Sequence, residues 1–154
     1  MKKDILIKKV DTIEECKICN NLFAELIEFE RNFDDTIVTC PKIEDYYERT
    51  LGREDSVLFL AISKGVAVGY VMAYIQNQKR STENFVTIMN LYINPEYRKN
   101  GIGRSLIEHV EIFAKEKFST CVIEIDCFIN NKAAIEFYTK LDFKDIRVKM
   151  RKKI

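Results

Sequence analysis

The sequence predicts a mixed α+β fold: a twisted, mostly antiparallel mixed sheet of six to seven strands flanked by about four helices. Three observations predict it. Period-2 and period-3.6 apolar patterns follow one another in the order β-α-α-β-β-β-α-β-α-β. Short turns join the central strand patterns, which makes those strands antiparallel neighbours. One strand-helix-strand unit, residues 85–126, requires a parallel pair with a crossover helix. The 154 residues, 47% of them apolar, suit a single domain over 1–154 with a real core and exclude intrinsic disorder.

Each element has a local cause. Residues 5–10 read as a first strand. Thr12 and Glu15 form an S/T-x-x-E capping box that opens a helix. Ile18, Leu22, Leu26 and Phe29 give that helix one apolar stripe to about Glu30. Asn32-Phe33-Asp34-Asp35 breaks it, and Pro41 opens a second short helix to about Leu51. Gly52-Arg53-Glu54-Asp55 is a turn before a strand at 57–63. Lys64-Gly65 makes a tight hairpin into a strand at 66–76. A polar loop, 77–83, leads to a long strand at 85–93. Ile102, Leu106, Val110 and Phe113 form the buried face of the next helix. A strand at 122–126, a helix at 131–140 and a last strand at 143–150 complete the order.

Composition excludes several function classes. Lysine plus arginine number 25 against 24 aspartate plus glutamate, without the basic excess of a nucleic-acid binder. The basic tail at Lys149, Arg151, Lys152 and Lys153 reads as a solvated chain end. No apolar run approaches the ~18 residues of a membrane span, and the N-terminus lacks the apolar segment of a signal peptide. Five scattered cysteines suit reduced thiols in the cytoplasm. Cys16 and Cys19 have C-x-x-C spacing but read as helix residues. The only histidine is His109, so no metal site is expected.

The stretch Asn94-Pro95-Glu96-Tyr97-Arg98-Lys99-Asn100-Gly101-Ile102-Gly103-Arg104 carries the chemistry. It links a strand to a helix start, where free N–H groups and the helix dipole favour an anion. Gly101 and Gly103 let a phosphate approach the main chain, and Arg98, Lys99 and Arg104 add positive charge. A pyrophosphate is the natural guest. A dinucleotide fingerprint fails because Leu106 stands where a third glycine belongs, and Gly103-Arg104-Ser105 is not a Walker ending. The remaining pattern, R-x-x-G-x-G after a strand, resembles the acetyl-CoA loop of the GCN5-related N-acetyltransferase (GNAT) family. Asn131-Lys132-Ala133-Ala134-Ile135-Glu136-Phe137-Tyr138 resembles that family's other hallmark, N-x-x-A-x-x-F/L-Y. Asp142 replaces the family's usual glycine before Phe143; an aspartate can also adopt the left-handed helix-end conformation.

The resemblance implies the acyl-CoA N-acyltransferase fold and acetyl transfer from acetyl-CoA to a primary amine by direct attack. Main-chain groups of Leu91, Tyr92 and Ile93 would hold pantetheine and the thioester oxygen. Arg98, Lys99, Asn100, Gly101, Ile102, Gly103 and Arg104 would hold the pyrophosphate. Asn131 would reach the pantetheine arm or its attached phosphate; an asparagine at a helix start is also a cap, a role either Asn131 itself or Asn130 can fill. Tyr138 would protonate the leaving thiolate. Cys121 and Cys127 lack a histidine partner, since His109 reads as a surface or half-buried helix residue. Many members carry an acid near the position of Met89; residues 85–93 contain none. Glu28, Glu30, Asp34, Asp35, water relayed by Asn90 or Tyr92, or an amine that arrives partly neutral are the routes left, and the sequence names no base among them. The missing acid also suits a non-catalytic acyl-CoA sensor. Residues 29–35 mix acids with aromatics and suit a cationic amine, or are simply a polar loop. The last strand offers an edge for a homodimer.

Overall fold

Five strands form one sheet in the order β1-β2-β3-β4-β5. They are β1 (Ile5–Lys9), β2 (Ser56–Ser63), β3 (Val66–Gln76), β4 (Phe85–Ile93) and β5 (Val122–Ile125). The computed structural model describes residues 4–154. The first four strands pair antiparallel, and β4–β5 is parallel. Three helices cover the sheet: α1 (Ile13–Glu30), α2 (Ile102–Lys117) and α3 (Lys132–Thr139). No helix among the described residues is long and apolar enough to cross a membrane.

Alternation along the strands decides which residues meet which helix. Val57, Phe59 and Ala61 of β2 join Val71 and Ala73 of β3, and Val86 and Ile88 of β4, under the α2 residues Ile102, Leu106, Val110 and Phe113. Phe137, Tyr138, Leu141 and Phe143 pack against this same layer. Leu58, Leu60, Tyr70, Met72 and Tyr92 turn to the other face, where α1 supplies Cys16, Cys19, Leu22 and Leu26. Cys16 and Cys19 are therefore core residues, and burial pushes the Cys16 thiol up to about 11.

Local signals behave as their chemistry requires. Thr12 caps α1, its Oγ1 accepting from the Glu15 N–H at 3.2 Å. The Glu15 carboxylate accepts from the Asp11 N–H and pairs with Lys8. Lys64 and Gly65 both take positive φ, 49° and 79°, as a tight hairpin demands. Asp142 takes φ 65°, filling the left-handed helix-end position without a glycine.

Two expected elements differ. The helix expected from Pro41 to Leu51 is only a 3-10 turn at Tyr47–Thr50. Cys40 and Asp45 adopt left-handed φ of 46° and 52°, which no continuous right-handed helix admits. The strand expected at 143–150 is absent, so the sheet has five strands rather than six or seven, and three α-helices rather than four. Ile146, Val148 and Met150 keep their alternation but stay exposed. The tail is tied by Arg151 to Asp34 at 2.9 Å instead of by a ladder to β5. Period-2 alternation says which side chains share a face; it does not supply a layer for that face to cover.

The 3-10 turn is held by a buried polar network. Asn20 of α1 accepts from the Tyr47 N–H at 3.1 Å and donates to Glu48 at 2.9 Å. The Tyr47 hydroxyl lies 3.0 Å from that of Tyr70 and donates to Asn90 Oδ1 at 2.9 Å. Tyr47→Phe should cost about 1–3 kcal/mol, because Asn90 loses its donor inside the protein. Urea unfolding of the two proteins measures the loss; equal midpoints would show that the network adds nothing.

Candidate active site

The sheet opens where β4 passes β5. Their ladder runs from Phe85↔Val122 to Ile88↔Ile125 and stops, while β4 continues to Ile93 paired only with β3. Main-chain groups beyond Ile88 therefore have one unladdered edge. The opening begins at a bulge: Ala73 faces Ile88 and Met72 faces Asn90, leaving Met89 extra. The bulge reverses the alternation. Val86 and Ile88 lie under α2, and after it Leu91 and Ile93 do. Tyr92 faces α1 and donates to Glu25 at 3.1 Å.

The turn after β4 presents its main chain outward. A 3-10 turn, Pro95–Tyr97, is capped by Asn94, which accepts from the Glu96 N–H at 3.1 Å. Asn100 Nδ2 donates to the carbonyls of Tyr97 and Arg98, at 3.0 and 3.1 Å. Lys99 and Gly101 take φ of 61° and 80°. Gly101 precedes α2 and offers no side-chain cap. The N–H groups of Lys99, Asn100, Gly101, Ile102, Gly103 and Arg104 find no acceptor among the described residues. Lys99 and Arg104 are exposed and form no ion pair among those residues. This is the N-terminal anion site of a helix, flanked by two available cations.

Arg98 is not part of that rim. Its N–H bonds the Pro95 carbonyl, its Nε donates to the Ile93 carbonyl at 2.9 Å, and its guanidinium lies 4.3 Å from the centre of the Phe29 ring. Arg98 thus fastens the turn to α1, and it already occupies the Phe29 face expected for an amine guest. Phe33 is also engaged: it stacks on Phe128 at 6.1 Å and meets Phe29 edge-on at 5.4 Å.

Gly103 also serves packing. A Cβ there would lie 2.8 Å from Phe137 Cζ and 3.1 Å from Ile93 Cδ1. The bare α-carbon lets α2 and α3 touch. Gly103→Ala should cost about 1–3 kcal/mol by overpacking. Differential scanning calorimetry should show a melting point lower by several degrees; an unchanged one would mean Phe137 moves aside freely.

Asn131, not Asn130, caps α3: its Oδ1 accepts from the Ala134 N–H at 3.2 Å. Asn130 instead donates to the Phe33 carbonyl at 3.1 Å, clipping the loop after β5 to the exit of α1. The oxygen of Asn131 is committed; its NH2 group makes no hydrogen bond to a described residue. Tyr138 sits between Phe137 and Phe143, ring centres 5.2 and 5.7 Å away. Burial, reinforced by Cys127 and Glu30 nearby, raises its phenol well above the ordinary tyrosine value. Its hydroxyl has no hydrogen-bond partner among the described residues.

The family-specific spacing now coincides with an opened β4–β5 edge and a bare helix N-terminus. The model of the acetyltransferase (GNAT) family matches residues 22–143. This chain belongs to the GNAT acetyltransferase family. Over 107 residues it is 30% identical to an uncharacterized N-acetyltransferase of Methanocaldococcus jannaschii, covering 67% of this chain. The match spans only 46% of that relative's length. A tetramutant of the BH1408 protein from Bacillus halodurans shares the fold, with a TM-score of 0.82, 17% identity and coverage of 97% and 99% of the two chains. AAC(6')-Iy in complex with the bisubstrate analogue CoA-S-monomethyl-acetylneamine superposes with a TM-score of 0.71 at 19% identity, covering 97% and 98%.

Among the other polar groups, His109 is half-buried on α2, its Nδ1 2.7 Å from the Ser105 carbonyl and its ring against Phe59. It lies outside the opening. No cluster of three or more His, Cys, Asp or Glu side chains able to hold a metal occurs among the described residues. A cavity of about 350 Å³ lies on the α1 side beside the bulge, between Tyr46, Tyr74, Met72 and Met89. Ser56 also lines it, and its buried Oγ has no hydrogen-bond partner among the described residues. Nothing in the sequence marked Ser56, because an orphaned hydroxyl is a property of its surroundings.

Proposed function

We propose that this GNAT chain transfers an acetyl group from acetyl-CoA to a primary amine by direct attack. The observation that carries the reading is the β4 edge left without a partner from Met89 to Ile93, running directly into six unpaired N–H groups at 99–104. The pantetheine arm fits that edge as an added strand, its amides meeting main-chain groups of Leu91, Tyr92 and Ile93. Its diphosphate falls on the N–H groups of Lys99, Asn100, Gly101, Ile102, Gly103 and Arg104. Arg98 supports the turn from behind, and the free NH2 of Asn131 is available to the arm. Family membership supports the coenzyme, as does the CoA analogue bound by the AAC(6')-Iy neighbour.

The chemistry follows from these positions. As an amine attacks, the thioester oxygen becomes an oxyanion, and a fixed N–H of β4 near Leu91–Ile93 stabilises it by about 3 kcal/mol. The C–S bond breaks, and Tyr138 gives its proton to the thiolate. The cavity beside Met89 receives the body of the acceptor. Its walls are mixed: Tyr46, Tyr74, Met72 and Met89 suit an apolar group on the amine, while Arg49 and the Arg53–Asp55 ion pair border it. The acids of the α1 exit are largely spoken for, Glu28 by Arg31 and Asp34 by Arg151, which weakens the case for a polycation. Five free cysteines support a reducing location such as the cytoplasm. A second reading, a non-catalytic acyl-CoA sensor, is favoured by Met89 at the position of the family's strand acid.

One experiment separates the two. Free thiol is followed with acetyl-CoA and a panel of spermidine, kanamycin, N-α-acetyl-lysine, phenethylamine and a Met-Leu dipeptide, against a blank without amine. Amine-dependent thiol release supports the enzyme. Calorimetric CoA binding with no release across the panel supports the sensor, and no CoA binding removes both.

A further inference from the structure

The acids near the exit of α1 are not equivalent. Of the acids near the exit of that helix, Glu28 pairs with Arg31 at 3.1 Å and accepts from the Cys40 N–H. Asp34 accepts from Thr36 and pairs with Arg151. Asp35 is exposed. Glu30 alone of the four is half-buried and carries a carboxylate with no hydrogen bond or ion pair among the described residues.

Its surroundings locate it. Glu30 follows Phe29, whose ring takes the Arg98 guanidinium that also bonds the Ile93 carbonyl at the end of β4. Three residues on, Phe33 stacks on Phe128 and its carbonyl accepts from Asn130, both in the loop after β5. Glu30 therefore lies on the stretch of chain that spans the ends of β4 and β5, beside the opening of the sheet, and its charge disfavours ionisation of Tyr138 there. The cations of the region are committed elsewhere: Arg31 to Glu28, and Arg98 to the Phe29 ring and the Ile93 carbonyl.

We propose that Glu30 is the group that takes the proton from the acceptor ammonium. The inference rests on the acetyltransferase reading. The Glu30 carboxylate accepts one proton from R-NH3+, leaving R-NH2 with a lone pair. The nitrogen bonds to the acetyl carbon, the C–S bond breaks, and the thiolate takes the Tyr138 proton. The new amide nitrogen returns its surplus proton to the Tyr138 phenolate, and Glu30 releases its own to solvent. The products are the acetamide, the free thiol and one proton. Burial holds the Glu30 carboxyl above the usual glutamate range, which brings it closer to the amine it must deprotonate.

Glu30→Gln keeps the shape and removes the base. With acetyl-CoA and the fastest acceptor of the panel above, kcat at pH 7 should fall at least about a hundredfold. Calorimetric CoA affinity should stay within about twofold, since the contacts proposed for pantetheine and diphosphate lie at 91–93 and 99–104. Raising the pH should close the gap by about tenfold per unit, as the amine ionises unaided, with the lysine-type value near ~10. Glu30→Asp, which keeps the charge with a shorter reach, should be faster than Glu30→Gln. A deficit equal at every pH, a change in KM alone, or an aspartate variant no faster than the glutamine one would overturn the assignment. A wild-type protein that binds CoA but acetylates nothing would instead fail the underlying reading, a different result from a wild-type rate that survives the loss of Glu30.

Discussion

Tyr138→Phe should lower kcat for acetyl transfer about a hundredfold while leaving CoA affinity within about twofold. The ring stays, so its contacts with Phe137 and Phe143 stay, and only the hydroxyl is lost. That hydroxyl has no hydrogen-bond partner among the described residues to strand, so stability should change little. Its protonation is the functional point. Burial and the adjacent Glu30 both disfavour phenolate, so the phenol keeps its proton well above pH 10. The wild-type rate should therefore show no alkaline limb from Tyr138 across the physiological range. Stopped-flow thiol release at saturating substrates measures the loss. An unchanged rate would take Tyr138 out of the reaction.

Gly101→Glu should weaken CoA binding by at least about thirtyfold, near 2 kcal/mol, without unfolding the protein. The side chain has room, because nothing lies within 4 Å of the position its Cβ would take. It pays the left-handed penalty of about 1–2 kcal/mol at φ 80°. Its carboxylate would then stand among the N–H groups that await the diphosphate. Isothermal titration with CoA, and with dephospho-CoA as control, reads the effect; unaltered affinity for both would place the diphosphate elsewhere. The contrast with Gly103 is useful. Substitution at Gly103 strikes Phe137 and should appear in the melting curve. Substitution at Gly101 should appear in binding.

Most of the fold was legible because its signals are local. A threonine hydroxyl three residues from a free N–H caps α1 whatever surrounds it, and a Lys-Gly pair makes the same hairpin anywhere. The order of strands followed from turn lengths alone. The places of the loop at 94–104 and of Tyr138 in the fold were legible because both lie at a set distance from an element boundary. What escaped depends on partners distant in sequence. The contact of the Arg98 guanidinium with Phe29, from another helix, is not carried by the loop motif. Asn130 does not cap α3, because the Phe33 carbonyl, almost a hundred residues earlier, takes its amide, and Asn131 caps instead. The four candidate acids could not be ranked in sequence; ion pairs with Arg31 and Arg151 separate them. The alternating tail at 143–150 carried a strand pattern with no layer to cover.

Met89 is a surplus residue that the bulge absorbs. It shifts the phase of β4, so side chains before and after it obey opposite parities in the sequence while still facing their β3 partners correctly. Deleting Met89 would let β4 alternate without interruption: Tyr92 would still face α1, and Leu91 and Ile93 would still lie under α2. What would go is the irregularity beside which the β4–β5 ladder ends.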